Sequence, residues 1–233
     1  ETGSAQAHST ARAMNPKIYK TRDLKQLNSF SLSCVAEYFC IARCSEQLKY
    51  ALDFAKKNKL NITILGEGTN VVLNQRISGL VLKIDIKGKI CIDLGASTGG
   101  FTEILLEADA SKIYAVDVGQ NQINYKLRKD KRVINMEKTD ARKIGIDIIQ
   151  QSNIISADLS FISLQKVLGQ IINLSTIGTS FLLLFKPQFE VGKKEISKNG
   201  VVRNTEVVWG VLQNFKLWLE QKNIKNMMKK KVN

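Results

Sequence analysis

The sequence predicts an α/β protein with a mainly parallel sheet covered by helices, preceded by a small β-α-β unit. From Lys87 onward, short apolar runs of strand length alternate with segments whose apolar residues recur at helical spacing. This alternation is typical of parallel strands joined by crossover helices. The chain has 233 residues, of which 44% are hydrophobic, and this is enough for one main domain and a small additional unit.

The N-terminal part of the chain carries the pattern of the small unit. Its predicted strands lie at 35–41, 62–65 and 80–84. A helix with Ser45 as its N-cap is expected after the first strand. The apolar face of this helix comprises Leu48, Ala51, Leu52 and Ala55. We expect a vector-derived or disordered segment at 1–20, the β-α-β unit at 21–86, the main domain at 87–225 and a basic tail at 226–233.

The main domain carries five strand patterns. They lie at 90–94, 112–117, 133–136, 154–157 and 181–185. The first strand is followed by a helix that begins near Phe101. Between the fourth and fifth strands, a helical stripe is formed by Leu164, Val167, Leu168, Ile171 and Ile172. After the fifth strand, with Asn204 as N-cap, a second stripe is formed by Val208, Val211, Leu212, Phe215 and Leu219.

Composition limits the classes of function. Lysine and arginine outnumber acidic residues by 35 to 21, a net charge of +14, which favours an anionic partner such as nucleic acid. Part of this excess lies in the terminal lysine run, which is more often a solvated end. Four cysteines without a Cys-x-x-Cys pair and a single histidine predict no metal site. No run suits a membrane span or signal peptide, so we expect a cytoplasmic protein without a membrane partner.

A glycine-rich turn between strand and helix carries the strongest chemical signal. It reads Asp93-Leu-Gly-Ala-Ser-Thr-Gly-Gly100. Glycines let the backbone approach a ligand closely, and the helix N-terminus supplies N–H donors. Asp93 can accept hydrogen bonds from a cationic amino group, whereas a pyrophosphate gains little from a carboxylate. The turn therefore favours S-adenosylmethionine over a dinucleotide, and a methyltransferase over a dehydrogenase.

Two further aspartates follow neighbouring strands. Asp117 ends the second strand, 22 residues beyond Gly95, a distance suited to hydrogen bonds with the ribose hydroxyls of an adenosine. Asp140, after the third strand, can meet the adenine amino group or can cap a short helix. Both interpretations of Asp140 are consistent with the sequence.

Asp158 and Lys186 follow the fourth and fifth strands. Because ligands in open α/β sheets collect beyond the carboxyl ends of strands, both side chains are expected at one crevice. A lysine beside a ribose hydroxyl can assist its deprotonation while the aspartate orients that lysine. The alternative is a structural ion pair at the edge of the sheet.

Several linked motifs carry a family resemblance. They are Asp93-Leu-Gly-Ala-Ser-Thr-Gly-Gly-Phe101, Tyr114-Ala-Val-Asp-Val-Gly119, Asp158-Leu-Ser-Phe-Ile-Ser163, Lys186-Pro-Gln-Phe-Glu190 and Gly200-Val-Val-Arg203. Together they resemble the haemolysin A (TlyA-type) ribosomal RNA 2′-O-methyltransferases, part of the wider FtsJ-like group, over about residues 88–222. The resemblance implies a Rossmann-like fold, S-adenosylmethionine as cofactor and ribose methylation of ribosomal RNA. The expected cofactor contacts are Asp93, Gly95, Ala96, Ser97, Thr98, Gly99, Phe101, Asp117, Val118, Asp140 and Ala141.

The chain departs from this family in its catalytic set. The family uses a Lys-Asp-Lys-Glu tetrad, and Asp158 and Lys186 match the central two residues. The first lysine, the last glutamate and an S4-type RNA-binding domain have no recognisable counterpart. The sequence is therefore consistent with reduced catalysis, or with a basic RNA-binding protein that has none. Apolar positions left uncovered by the family's terminal strand hairpin favour self-association.

The N-terminal unit resembles a different family. Leu27-Asn-Ser-Phe-Ser-Leu32, Gly66-Glu-Gly-Thr-Asn-Val-Val-Leu73 and Gly79-Leu-Val-Leu82 are similar to the start of the flavin-dependent UDP-N-acetylenolpyruvoylglucosamine reductases, over about residues 24–85. The implied flavin-binding turn comprises Gly66, Gly68, Thr69 and Asn70. The rest of a flavin domain is missing, so FAD binding is not expected. Two partial resemblances in one chain indicate a fusion or chimera, and a reductase fragment is a third alternative.

Overall fold

The computed structural model describes residues 15–27, 33–43, 45–65, 76–197 and 199–224. The described residues divide into two compact units. The N-terminal unit extends to Lys87 and also includes 107–109, and the C-terminal unit comprises 88–106 and the described residues from Ala110 onward. No helix in the described ranges is long and apolar enough to span a membrane.

The N-terminal unit is a four-stranded sheet with one helix. Its elements are β1 (Ile18–Asp23), β2 (Val35–Ala42), α1 (Ser45–Lys57), β3 (Ile62–Leu65) and β4 (Arg76–Ile84). The strand order is β1-β2-β4-β3, with β1 antiparallel to β2 and the other pairs parallel. The helix packs on β2, where the rings of Tyr38 and Phe54 lie 5.4 Å apart.

Strand β1 is the main departure from the sequence pattern in this unit. It begins at Ile18, so the described fold starts within the segment expected to be vector-derived or disordered. Four of its six residues are exposed and three are charged, so no apolar pattern reveals the strand. The backbone of β1 is held by hydrogen bonds to β2. The side-chain pattern of β1 gives no sign of this pairing. The proposed flavin turn, Gly66, Gly68, Thr69 and Asn70, lies outside the described residues.

The C-terminal unit confirms the predicted α/β class with a parallel sheet. Its strands are β5 (Ile90–Leu94), β6 (Lys112–Val116), β7 (Val133–Met136), β8 (Ile154–Ala157) and β9 (Ser180–Leu183). They are hydrogen-bonded in the order β7-β6-β5-β8-β9, and each neighbouring pair is parallel. After β5 the chain forms β6 and then β7 on one side of β5. It then crosses over and forms β8 and then β9 on the other side of β5. The carboxyl ends of β5 and β8 therefore border a topological switch point, where ligands bind in such folds.

Helices follow the strands, and they include the three that the sequence predicts: the helix near Phe101 and the two with the apolar stripes. They are α2 (Gly100–Glu107), α3 (Tyr125–Lys129), α4 (Ile146–Gln151), α5 (Leu164–Leu174), α6 (Pro187–Glu190) and α7 (Thr205–Gln221). The predicted stripe of α5 is buried. On α7 only Phe215 and Leu219 are buried, and both belong to the core around Ile92, Leu94 and Ile155. Asn204 is the predicted N-cap of α7, and its side chain accepts from the N–H groups of the first turn.

Candidate cofactor turn and active site

The glycine-rich turn begins directly after β5 and is fixed to the neighbouring strand. The N–H groups of Gly95 and Ala96 donate to the Val116 carbonyl at 2.9 and 3.1 Å. Gly95 has φ +77°, and a Cβ there would lie 2.5 Å from the Asp158 carbonyl oxygen. Only glycine fits this position without displacing the backbone that follows β8.

The end of the turn leads into α2. Gly99 has φ +102°, and a Cβ there would overlap the Leu127 side chain. Ser97 also has a left-handed backbone, with φ 48°. Ser97 and Thr98 are exposed, Ala96 is buried and Phe101 is half-buried. The exposed part of the turn thus lies at its centre.

Asp93 is fully buried beneath this turn. Its Oδ2 accepts from Thr102 Oγ1 at 2.7 Å, and its Oδ1 accepts from Ser156 Oγ at 3.1 Å. Burial raises the pKa of the Asp93 carboxyl, and the two hydroxyl hydrogen bonds oppose that rise. The carboxylate connects α2 to β8. Its predicted contact with a ligand amino group stays a prediction, and it requires a surface that the carboxylate does not expose in this conformation.

Asp117 lies beside the turn, immediately after β6. Its Oδ2 accepts from the Ser97 N–H at 2.8 Å, and its Oδ1 accepts from the Gly119 N–H at 2.7 Å. The next side chain, Val118, is 74% exposed. An acidic group and an exposed apolar side chain therefore adjoin the turn at the carboxyl edge of the sheet.

Asp140 adopts the capping role left open by the sequence. Its side chain accepts from the Arg142 N–H at 2.9 Å and so caps the short 3₁₀ segment Ala141–Lys143. The Arg142 guanidinium also donates to both carboxylate oxygens. These bonds lower the pKa of Asp140 to about 2. Ala141 is buried, so the cofactor contacts predicted for this pair stay predictions.

Asp158 and Lys186 lie together, as their positions after β8 and β9 predict. Lys186 Nζ is 2.6 Å from Asp158 Oδ1 and donates a hydrogen bond to Ser160 Oγ at 2.9 Å. The contact with Asp158 is an ion pair without the alignment of a hydrogen bond. Both side chains are partly exposed, although the Asp158 Oδ1 atom itself is buried.

Two features beside this pair were not predicted. Phe161 is 92% exposed with a left-handed backbone, φ 67°, and its ring lies 5.2 Å from that of Phe189. Glu190 accepts from the Leu164 N–H at 2.8 Å. Both residues lie in motifs that carry the family resemblance. The sequence contains no signal for the left-handed φ of Phe161 or for the hydrogen-bond partner of Glu190. Among the described residues, no cluster of three His, Cys, Asp or Glu side chains could hold a metal ion.

The chain has a partial similarity to a reductase of the kind that its N-terminal motifs resemble. The UDP-N-acetylenolpyruvoylglucosamine reductase of Flavobacterium johnsoniae is 37% identical over 73 residues, which cover 31% of this chain and 21% of that protein. The similarity thus concerns a short part of both proteins.

Other similarities cover more of the chain. The 16S/23S rRNA (cytidine-2′-O)-methyltransferase TlyA of Mycobacterium tuberculosis (strain CDC 1551 / Oshkosh) is 42% identical over 125 residues, covering 53% of this chain and 47% of that protein. A solved structure from Streptococcus thermophilus, described as a hemolysin, has a TM-score of 0.56 and 38% identity, covering 59% of this chain and 50% of its own. The chain thus spans about half the length of these relatives.

The family model of FtsJ-like methyltransferases matches residues 73–228. This range is more than half of the chain and contains the glycine turn, Asp117, Asp158 and Lys186. The predicted resemblance to the haemolysin A group is confirmed by the identities with its members. The chain therefore belongs to the FtsJ-like methyltransferase family.

Proposed function

We propose that the C-terminal unit binds S-adenosylmethionine and methylates a ribose 2′-hydroxyl of ribosomal RNA. One observation carries the proposal: the Asp158 backbone lies against Gly95 of the turn while the Asp158 carboxylate pairs with Lys186. A cofactor on the turn and an acceptor at the ion pair would share one crevice beyond β5 and β8. Ribosomal RNA as the target is supported by the activity named for the M. tuberculosis relative.

The turn and its neighbours fit S-adenosylmethionine, which supplies an electrophilic methyl group on a sulfonium. The Gly95 position leaves no room for a side chain, and Ser97 and Thr98 are exposed residues at the centre of the turn. Asp117 accepts two backbone N–H bonds. A carboxylate has about four acceptor sites, so Asp117 can also accept from two ribose hydroxyls. The exposed Val118 suits the apolar face of an adenine.

The Asp158–Lys186 pair can assist removal of the proton from the acceptor 2′-hydroxyl. Methyl transfer from a sulfonium needs in-line positioning and removal of the hydroxyl proton. A 2′-hydroxyl beside Lys186 Nζ would have a cation next to the charge that develops on its oxygen. Asp158 pairs with this ammonium at 2.6 Å and supplies a carboxylate that can accept the proton.

Phe161 provides a surface for the base of the acceptor nucleotide. Phe161 is 92% exposed, and its left-handed backbone carries an energetic cost for a residue with a side chain. Single-stranded RNA is recognised by stacking of its bases on aromatic rings. Stacking on Phe161 would bring the attached ribose near Lys186, and the net charge of +14 would attract the phosphates.

Calorimetric titration with S-adenosylmethionine tests the cofactor part of the proposal. The parent chain is expected to bind one equivalent, and Asp117→Ala is expected to weaken binding at least about tenfold, the size of one lost charge-assisted hydrogen bond. Asp53→Ala, an exposed carboxylate on α1, serves as the matched control and should bind like the parent. Absence of binding by the parent would rule the proposal out.

A second candidate is a basic RNA-binding protein without turnover. It is favoured by the net charge of +14, which suits an anionic partner whether or not methyl transfer occurs. Loss of one general acid or base lowers a rate by about 10²–10⁴, so cofactor binding can persist without catalysis. RNA binding that weakens with salt, combined with no methyl incorporation, would favour this candidate.

We propose no function for the N-terminal unit. FAD binding is not expected, because the similarity covers only 21% of the reductase. The absorbance spectrum of the purified protein tests this directly, and a bound flavin would contradict the expectation.

A further inference from the structure

Helix α5 begins with an unusual cap. Its N-cap residue is Ser163, and among the described residues the Ser163 side chain makes no capping hydrogen bond. The first N–H of the helix, from Leu164, donates instead to Glu190 Oε1 at 2.8 Å. A carboxylate at a helix N-terminus is favoured by the N–H groups and by the helix dipole. The cap of α5 therefore comes from a segment 26 residues further along the chain.

The capping residue belongs to the same short helix as Lys186. Lys186 is the N-cap of α6 and Glu190 is its last residue. The turn between them is closed by hydrogen bonds from Phe189 N–H to the Lys186 carbonyl at 3.0 Å and from Val191 N–H to the Pro187 carbonyl at 3.1 Å. Lys186 and Glu190 are thus held in a fixed relation.

The segments 158–164 and 186–190 are consequently joined at both ends. At one end Lys186 contacts Asp158 and Ser160. At the other end Glu190 contacts Leu164. Between these contacts the Phe161 and Phe189 rings meet at 5.2 Å. The strained backbone of Phe161 lies inside the joined stretch, so its conformation depends on both attachments.

We infer that Glu190 is a positioning residue, which holds the Asp158–Leu164 segment against α6 so that Asp158 and Lys186 keep their geometry. This inference rests on the proposed function for its effect on turnover. Glu190 acts through Leu164 and has no contact with the reacting atoms in this account. Small displacements of positioned groups reduce rates strongly, by about 10²-fold for 1 Å. A bond that fixes the segment is therefore expected to affect turnover more than ligand binding.

The test compares Glu190→Ala with Glu190→Gln. Alanine removes the acceptor, so hydrogen exchange of the Leu164 amide should accelerate at least about threefold, as for a lost helix cap. With ribosomal RNA and S-adenosylmethionine, kcat should fall at least about tenfold while both KM values stay within about threefold. Glutamine keeps an acceptor oxygen and should restore most of the exchange protection and of kcat.

Glu206→Ala is the matched control, because Glu206 lies in the first turn of α7 but the cap there is Asn204. This variant should behave like the parent in exchange and in kcat. Should Glu190→Ala fail to fold, Glu190→Asp replaces it, since the shorter side chain withdraws the carboxylate from Leu164.

Unchanged Leu164 exchange in Glu190→Ala would overturn the inference. Altered exchange with unchanged kcat, or with KM changed as much as kcat, would also overturn it, because the bond would then be structural only. Failure of the parent to transfer methyl groups would contradict the proposed function. The exchange comparison would still decide whether Glu190 holds the segment.

Discussion

Gly95 and Gly88 have similar backbone angles but different surroundings. Their φ values are +77° and +72°, and a Cβ at Gly95 would lie 2.5 Å from the Asp158 carbonyl oxygen. At Gly88 a Cβ would meet no described atom within 4 Å. Substitution at Gly88 therefore measures only the cost of a left-handed backbone. Substitution at Gly95 measures that cost together with the cost of a steric clash with the Asp158 carbonyl.

Substitution of Gly95 by alanine should destabilise the protein more than the same substitution at Gly88. Both variants incur the cost of a left-handed alanine, about 1–2 kcal/mol, and the Gly95 variant incurs a further 1–3 kcal/mol or so from overpacking. Denaturant unfolding of Gly95→Ala and Gly88→Ala measures the difference. Equal free energies of unfolding would show that the approach of Asp158 to the turn is not as close as described.

Asp93 gives a pH dependence with a defined sign. Because burial raises its pKa above 3.8 in the folded protein, the folded state binds a proton more readily than the unfolded state. Its contribution to stability is therefore fully present below 3.8 and is lost as the pH rises through the folded-state pKa. Asp93→Asn cannot titrate there, so the difference in stability between parent and variant should shift in favour of the variant across that window. A difference that does not depend on pH, measured by denaturant unfolding, would contradict this.

At the scale of elements, the two N-caps of α5 and α7 differ. Asn204 accepts from the Glu206 and Val207 N–H groups, whereas Ser163 caps without a side-chain bond among the described residues. Asn204→Ala should therefore lower the free energy of unfolding by about 0.5–2 kcal/mol. Ser163→Ala should change it by less than about 0.5 kcal/mol. Equal losses in chemical denaturation would refute the distinction.

The sequence predicts elements better than it predicts contacts. The five strands of the C-terminal unit follow from local apolar patterns, and the meeting of Asp158 with Lys186 follows from the rule that parallel strands end at one edge. Strand β1 was missed because its stability comes from pairing with β2, which no local pattern encodes. The left-handed φ of Phe161 and the bond from Leu164 to Glu190 depend on tertiary packing. The role of Asp140 is ambiguous in the sequence because capping and ligand binding use the same side chain.

At the scale of the whole molecule, self-association stays a prediction. In the described sheet β9 is an edge strand, and Leu182 on it is 48% exposed. Exposed strand edges with apolar side chains favour pairing with another chain. We expect a mass above that of the 26.1 kDa monomer in light scattering, and a smaller mass for Leu182→Lys. A parent protein that is monomeric at all concentrations would contradict the prediction.

The proposed chemistry belongs to the C-terminal unit, which contains the glycine turn, Asp158 and Lys186. The most direct test is transfer of labelled methyl groups from S-adenosylmethionine to ribosomal RNA, with the modified position mapped. We expect a ribose 2′-O-methyl product, with kcat lowered at least about 10²-fold in Lys186→Ala. The exposed Lys166→Ala variant on α5 should match the parent, and cofactor affinity should stay within about threefold in both variants. Cofactor and RNA binding without any methyl product, or equal turnover by Lys186→Ala and the parent, would contradict the account.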